Sequence, residues 1–159
     1  MNFTSINEYF YKLYSSVLVI LLTPIITFIA LYLLPSETDT ENLSLSQYGV
    51  LVTSMIFLIW ISTFVLFNKK IKSARNGQGL REKLEKYFLL TIVRYIAFSL
   101  CSVLLAIAFF YLKHEIFTLL FVLQLIVAGV LWPFSSKVCN DLKLRGDERE
   151  MVYFKKDSF

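Results

Sequence analysis

The sequence predicts an all-α polytopic membrane protein: four transmembrane helices as two helical hairpins, with both termini on the cytoplasmic side. Three observations predict it. The 159 residues are 57% hydrophobic and only 18% charged, whereas a soluble domain is about 45–50% apolar and about 25% charged. The apolar excess is concentrated in four blocks, at about 13–34, 48–67, 88–112 and 116–132. Lys and Arg fall almost entirely in alternate segments between those blocks. The length allows one membrane domain over 1–159, with little chain left for a soluble catalytic one.

The first block carries no charge, and 17–34 alone reaches the length that crosses about 30 Å of hydrocarbon. Pro24, near its middle, removes a backbone donor and favours a kink. A cleaved signal peptide is the rival reading; the stretch is long for one and no small-x-small site follows Leu34. A linker with Glu37, Asp39 and Glu41 leads to the second block, where Gly49, Ser54, Ser62 and Thr63 are small enough for close helix approach.

Segment 68–87 has Lys69, Lys70, Lys72, Arg75, Arg81, Lys83 and Lys86 against Glu82 and Glu85. Asn76-Gly77-Gln78-Gly79 supplies the turn, since two glycines in four residues break helices. Leu80, Leu84 and Tyr87 then recur at helical spacing. The third helix is therefore expected to start at Leu80 and run unbroken to Leu112, about 50 Å, so that helices two and three project as a basic cytoplasmic hairpin. Lys113-His114-Glu115 connects to the fourth block, which Pro133 ends. In the tail, 133–159, Val138 and Leu142 lie one turn apart, and Asp147 with Glu150 has the form of a capping box. Two short amphipathic turns near the membrane face are expected there.

Orientation follows from the cations. The N-terminal segment has Lys12, the first connection none, the second seven, the third Lys113 and the tail six. Fourteen thus fall on one side and one on the other, and the Lys/Arg-rich side is cytoplasmic. The acidic first loop is then external, and a bacterial inner membrane is the expected location. A weak internal echo, Glu8-Tyr9-Phe10 and Lys86-Tyr87-Phe88 each opening a 27-residue run, leaves open a duplicated hairpin with a parallel repeat.

Few residues could carry chemistry. Arg94 is the only charge within a block; it either snorkels to the headgroups or contacts an anionic lipid or a partner's carboxylate. Lys69, Lys70, Lys72, Arg75 and Arg81 are the other candidate lipid- or partner-binding residues, although fixing topology alone explains them too. Gln124 and Ser99 are candidates for interhelical polar contact, with Cys101 and Ser102 nearby. No Asp or Glu lies in any block, which weighs against a proton-coupled carrier or rotary ring. Lone His114 lacks a second ligand at useful spacing. No phosphate loop, H-E-x-x-H or G-x-S-x-G occurs. Cys101 and Cys139 give no disulfide framework.

Lys83-Leu84-x-x-Tyr87 leading into Ile92-x-Arg94-Tyr95, then Pro133, Lys137-Val138-x-x-Asp141-Leu142-Lys143-Leu144 and Glu148-Arg149-Glu150, resemble a group of small four-span bacterial membrane proteins without an assigned function. The resemblance covers roughly the second half and implies architecture alone. Members often carry a Glu in the third span where this chain has Ser99. The expected role is a non-enzymatic accessory, assembly or scaffold subunit in the lipid bilayer, with no catalytic residue, cofactor, metal or nucleic acid. Anionic lipids and a membrane-protein partner or a homo-oligomer are its expected partners. A small transporter or channel acting as an oligomer is the alternative.

Overall fold

The computed structural model describes residues 3, 5–34, 47–112 and 114–156. The acidic loop with Glu37, Asp39 and Glu41, and Lys113, lie outside them. The described residues form six α-helices and no strand: α1 (Ile6–Leu33), α2 (Gln47–Arg75), α3 (Leu80–Leu112), α4 (Glu115–Val130), α5 (Ser135–Leu142) and α6 (Gly146–Phe154).

Local chemistry accounts for most of the boundaries. Ser5 Oγ accepts from the Glu8 backbone N–H at 3.1 Å, the first half of a capping box that the Ser5-x-x-Glu8 spacing encodes. Pro24 sits inside α1, which continues through it. α2 stops at Arg75, and the Glu82 side chain accepts from the Gln78 N–H at 2.9 Å as α3 begins. At Gly77 in the turn between them, an added Cβ would lie 3.1 Å from Lys83 Cγ and 3.3 Å from its nitrogen, tighter than ordinary contact. α3 runs unbroken from Leu80 to Leu112, as its spacing predicts. His114 Nδ1 accepts from the Ile116 N–H at 3.3 Å and caps α4, a role its position in a turn did not announce.

The tail holds two short helices, α5 and α6. Each ends in a Schellman motif: the Leu144 N–H reaches the Cys139 carbonyl and the Lys156 N–H that of Met151. Lys143 and Lys155 take the left-handed residue at φ 53°, where a side chain costs roughly 1–2 kcal/mol. The capping box expected at Asp147 does not form. α6 begins at Gly146 with Arg145 as cap and no side-chain bond, so Asp147 lies within the first turn beside Glu148. There the carboxylates oppose the positive helix end instead.

α1, α2 and α3 are long and apolar enough to cross a membrane. α4 is shorter than the expected 116–132, because Leu131 caps it ahead of Pro133. It counts as a fourth candidate only with α5, from which it is bent by 77°. In the most apolar window of α1 and of α2, 11% is buried, against 39% in α3, so α3 carries most of the packing and the other two leave wide apolar faces uncovered.

The chain divides into two compact units. One comprises Ile20–Thr63 and Tyr95–Leu131, with a core of Ile56, Cys101, Leu105, Ala108, Phe117 and Phe121. Phe28 stacks on Phe121 at 4.3 Å between centroids. The other comprises Met1–Val19, Phe64–Arg94 and Trp132–Phe159. Its buried residues include Tyr9, Phe10, Leu13, Leu84, Tyr87, Phe88, Val138, Cys139, Leu142 and Val152.

Two tail substitutions should act in opposite directions. Lys143→Gly relieves the left-handed strain and should slow proteinase K cleavage within 135–156 by about fivefold, for about 1 kcal/mol. Leu142→Ala empties a buried site and should accelerate it, at a cost of about 2–4 kcal/mol. Equal cleavage of both variants and wild type would show that the tail is not packed.

Candidate functional site

The unit built from Met1–Val19, Phe64–Arg94 and Trp132–Phe159 concentrates the polar chemistry around α5. Val138 and Leu142 face the core, 0% and 2% exposed. That leaves Lys137 and Asp141, one turn apart, at the edge of the buried face. Tyr87 Oη donates to Asp141 Oδ2 at 3.0 Å. Arg75 Nε donates to the Asp141 backbone carbonyl at 2.7 Å. One residue of α5 therefore holds the last turn of α2 and the first turns of α3. Lys83 Nζ bonds both Glu148 oxygens, at 3.1 and 2.8 Å, and ties α6 to the same stretch of α3.

The N-terminal end of α1 packs against this assembly through aromatic edges. Tyr9 contacts Phe88 at 6.1 Å and Phe3 contacts Phe88 at 5.7 Å between centroids. The Lys155 ammonium stands 5.2 Å from the Phe10 ring and 5.4 Å from that of Tyr14. Tyr14 in turn meets Trp132 at 5.8 Å. The two halves of the 27-residue echo thus supply equivalent core positions, Tyr9 with Phe10 and Tyr87 with Phe88, all buried.

Arg94 is 3% exposed, and its guanidinium lies 4.2 Å from the Phe67 ring centroid. The cation thus packs on an aromatic face within the protein, a contact that depth along the helix alone did not foretell. Burial holds the Lys137 ammonium below its ordinary range, with Arg94 adding to the fall and Asp141 opposing it. Arg75 joins this cluster; Lys69, Lys70 and Lys72 are exposed on α2. Arg81 is exposed and lies 3.7 Å from Glu85. Tyr87, Lys137 and Asp141 were missing from the sequence candidates. Lys137 and Asp141 share the i, i+4 spacing of a helical pair, the signal that could have drawn attention to them.

In the unit of Ile20–Thr63 and Tyr95–Leu131, polar groups join α3 to α4. Gln124 Nε2 donates to the Phe98 carbonyl, and Tyr95 Oη donates to the Ala128 carbonyl at 2.9 Å. Ser102 Oγ donates to the Phe98 carbonyl at 3.1 Å within α3. Ser99 is half-buried. Gln124 Oε1 is buried without a hydrogen-bond partner among the described residues. Among those residues no group of three or more His, Cys, Asp or Glu side chains converges as metal ligands would.

No family model matches this chain, and no curated protein or solved structure does. Its chemistry is therefore read from its own geometry. The polar cluster around Asp141 joins helices: donors meet acceptors from α2, α3 and α5. The hydrogen bond from Tyr87 to a charged acceptor has a typical magnitude of about 1.5–3 kcal/mol.

A double-mutant cycle tests that join. Tyr87→Phe and Asp141→Ala should each destabilise tail docking, with a coupling of about 1.5–3 kcal/mol, measured by denaturant-dependent release of the tail in detergent. Additive effects would contradict a direct bond.

Cys139 offers a pH readout. It is 2% exposed, and burial raises its thiol above the ordinary range. A raised thiol pKa leaves less thiolate at neutral pH. In a Cys101→Ala background, maleimide labelling should therefore be slower than for a free cysteine at pH 7 and should rise with pH. Asp141→Ala should accelerate it at constant pH. Labelling at the free-cysteine rate in the docked protein would contradict this burial.

Proposed function

We propose that this chain is an integral membrane protein crossing the bilayer four times, both termini cytoplasmic, that serves as a non-enzymatic accessory, assembly or scaffold subunit. The observation that carries this reading is how the polar groups at the helix contacts, most of them partly buried, are used. Asp141 accepts from Arg75 and Tyr87, Glu148 from Lys83, and the Phe98 carbonyl from Gln124. Each connects one helix to another. The surfaces left for recognition are the outer apolar faces of α1 and α2 and the exposed cations of the α2–α3 connection.

The bilayer assignment of the fourth crossing uses α4. Its 16 residues rise about 24 Å, short of about 30 Å of hydrocarbon, a mismatch that local thinning of the bilayer accommodates. Residues 133–156, with the hairpin 68–87, then lie on the Lys/Arg-rich, cytoplasmic side, in a bacterial inner membrane. The likeness to small four-span bacterial proteins agrees with this arrangement. The exposed Ser54 and Ser62 of α2 are small enough to let another helix approach closely, which suits a membrane-protein partner or a second copy.

A second reading, a small oligomeric transporter or channel, draws on Gln124 Oε1, a buried acceptor without a partner among the described residues. In liposomes, flux above empty-vesicle leak that falls with Gln124→Ala and Arg94→Ala would favour it. Background leak in all three proteins would dismiss it.

The accessory reading is tested by topology and by company. A reporter fused after Thr40 should be active only outside the cytoplasm, and one fused after Phe159 only inside. Gentle solubilisation from native membrane should retain a stoichiometric membrane partner or a homo-oligomer. An isolated monomer in every preparation would contradict it.

A further inference from the structure

α2 and α3 leave a groove of about 350 Å³ lined by Lys70, Ser73, Ala74, Lys86, Leu89 and Leu90. Its lining changes character along α3. Lys86 stands at one end, and Leu89 and Leu90 follow three and four residues later, about 4.5–6 Å along the axis. Leu89 is 61% exposed and Val93, one turn further, 63% exposed, so the apolar wall continues outward along the helix.

At the polar end, Lys70 and Ser73 come from one turn of α2. Lys70 is exposed and, with neighbouring Lys69 and Lys72, has no carboxylate partner among the described residues. Lys86 Nζ bonds Glu82 Oε1 at 2.6 Å, which occupies one of the three ammonium donors and leaves the others. Two ammonium groups and a hydroxyl beside an apolar wall match a phosphate carrying a hydrocarbon chain. A soluble anion would gain nothing from Leu89 and Leu90, and a neutral lipid would gain little from the cations.

We infer that this groove is a binding site for an anionic phospholipid, its phosphate between Lys70, Ser73 and Lys86 and an acyl chain along Leu89, Leu90 and Val93. The inference rests on the membrane-spanning reading, which puts Lys70 and Lys86 within about one turn of the ends of spans 48–67 and 88–112, at headgroup level. It differs from general attraction of hairpin cations to the inner leaflet, about 1 kcal/mol per charge near the surface, because it requires particular cations.

Native mass spectrometry of the full chain in a mild detergent tests it, with phosphatidylglycerol, phosphatidylcholine and inorganic phosphate as probes. Phosphatidylglycerol should bind at least tenfold more tightly than phosphatidylcholine, and millimolar phosphate should not displace it. Lys70→Ala with Lys86→Ala should weaken phosphatidylglycerol at least fivefold. Lys69→Ala with Lys72→Ala, an equal loss of charge outside the groove, should change it less than twofold. Lys70→Arg with Lys86→Arg should retain binding, and unchanged helical circular dichroism in all variants separates binding from folding. Equal loss in the two alanine pairs, equal binding of the two lipids, or displacement by phosphate would overturn the site. Topology and partner capture are read without added lipid, so failure here is distinguishable from failure of the accessory reading.

Discussion

Asp141 is the residue on which the arrangement of the tail depends. Its carboxylate takes the Tyr87 hydroxyl and its backbone carbonyl takes the Arg75 guanidinium. α5 is thereby fixed by α2 and α3 together. α5 is only eight residues long, below the about 12–15 residues at which an isolated helix becomes even marginal in water. It persists because Val138, Cys139 and Leu142 are buried and because Asp141 orients that face. The polar contact specifies which way the helix sits; the apolar burial supplies most of the free energy.

The same division of labour recurs in the unit of Ile20–Thr63 and Tyr95–Leu131. Phe28, Phe109, Phe117 and Phe121 fill space around Leu105 and Ala108, while Gln124 and Tyr95 reach backbone carbonyls of the facing helix. In lipid, burying apolar surface between helices gives little net gain, because the acyl chains are equally apolar. Aromatic packing and a few directed hydrogen bonds must then select the pairing. Hydrogen bonds of that kind contribute about 0.6–2 kcal/mol each, enough to fix register without dominating stability.

Much of this was legible in the residues. The start of α3 at Leu80, the turn at Asn76–Gly79 and the buried pair Val138 and Leu142 follow from helical spacing and glycine placement, which act over a few residues. What was not legible depended on residues distant in sequence. Asp141 lies 66 positions from Arg75 and 54 from Tyr87, and no local pattern relates them. Arg94 stands over Phe67, 27 positions earlier in the chain, a pairing that no local pattern gives either. The end of α4 at Val130 and the failed capping box at Asp147 show the opposite limit. There local signals existed, but Leu131 and Gly146 decided the boundary within a residue or two.

Hydrogen exchange on the intact protein in lipid nanodiscs tests the central join most directly. If α5 is held by α2 and α3 through Asp141, amides in 135–142 exchange with protection matching that of 70–87, and both segments lose it together as denaturant is added. Amides of α5 exchanging at the rate of an unstructured peptide while 70–87 stays protected would contradict the docked tail and the role given to Asp141.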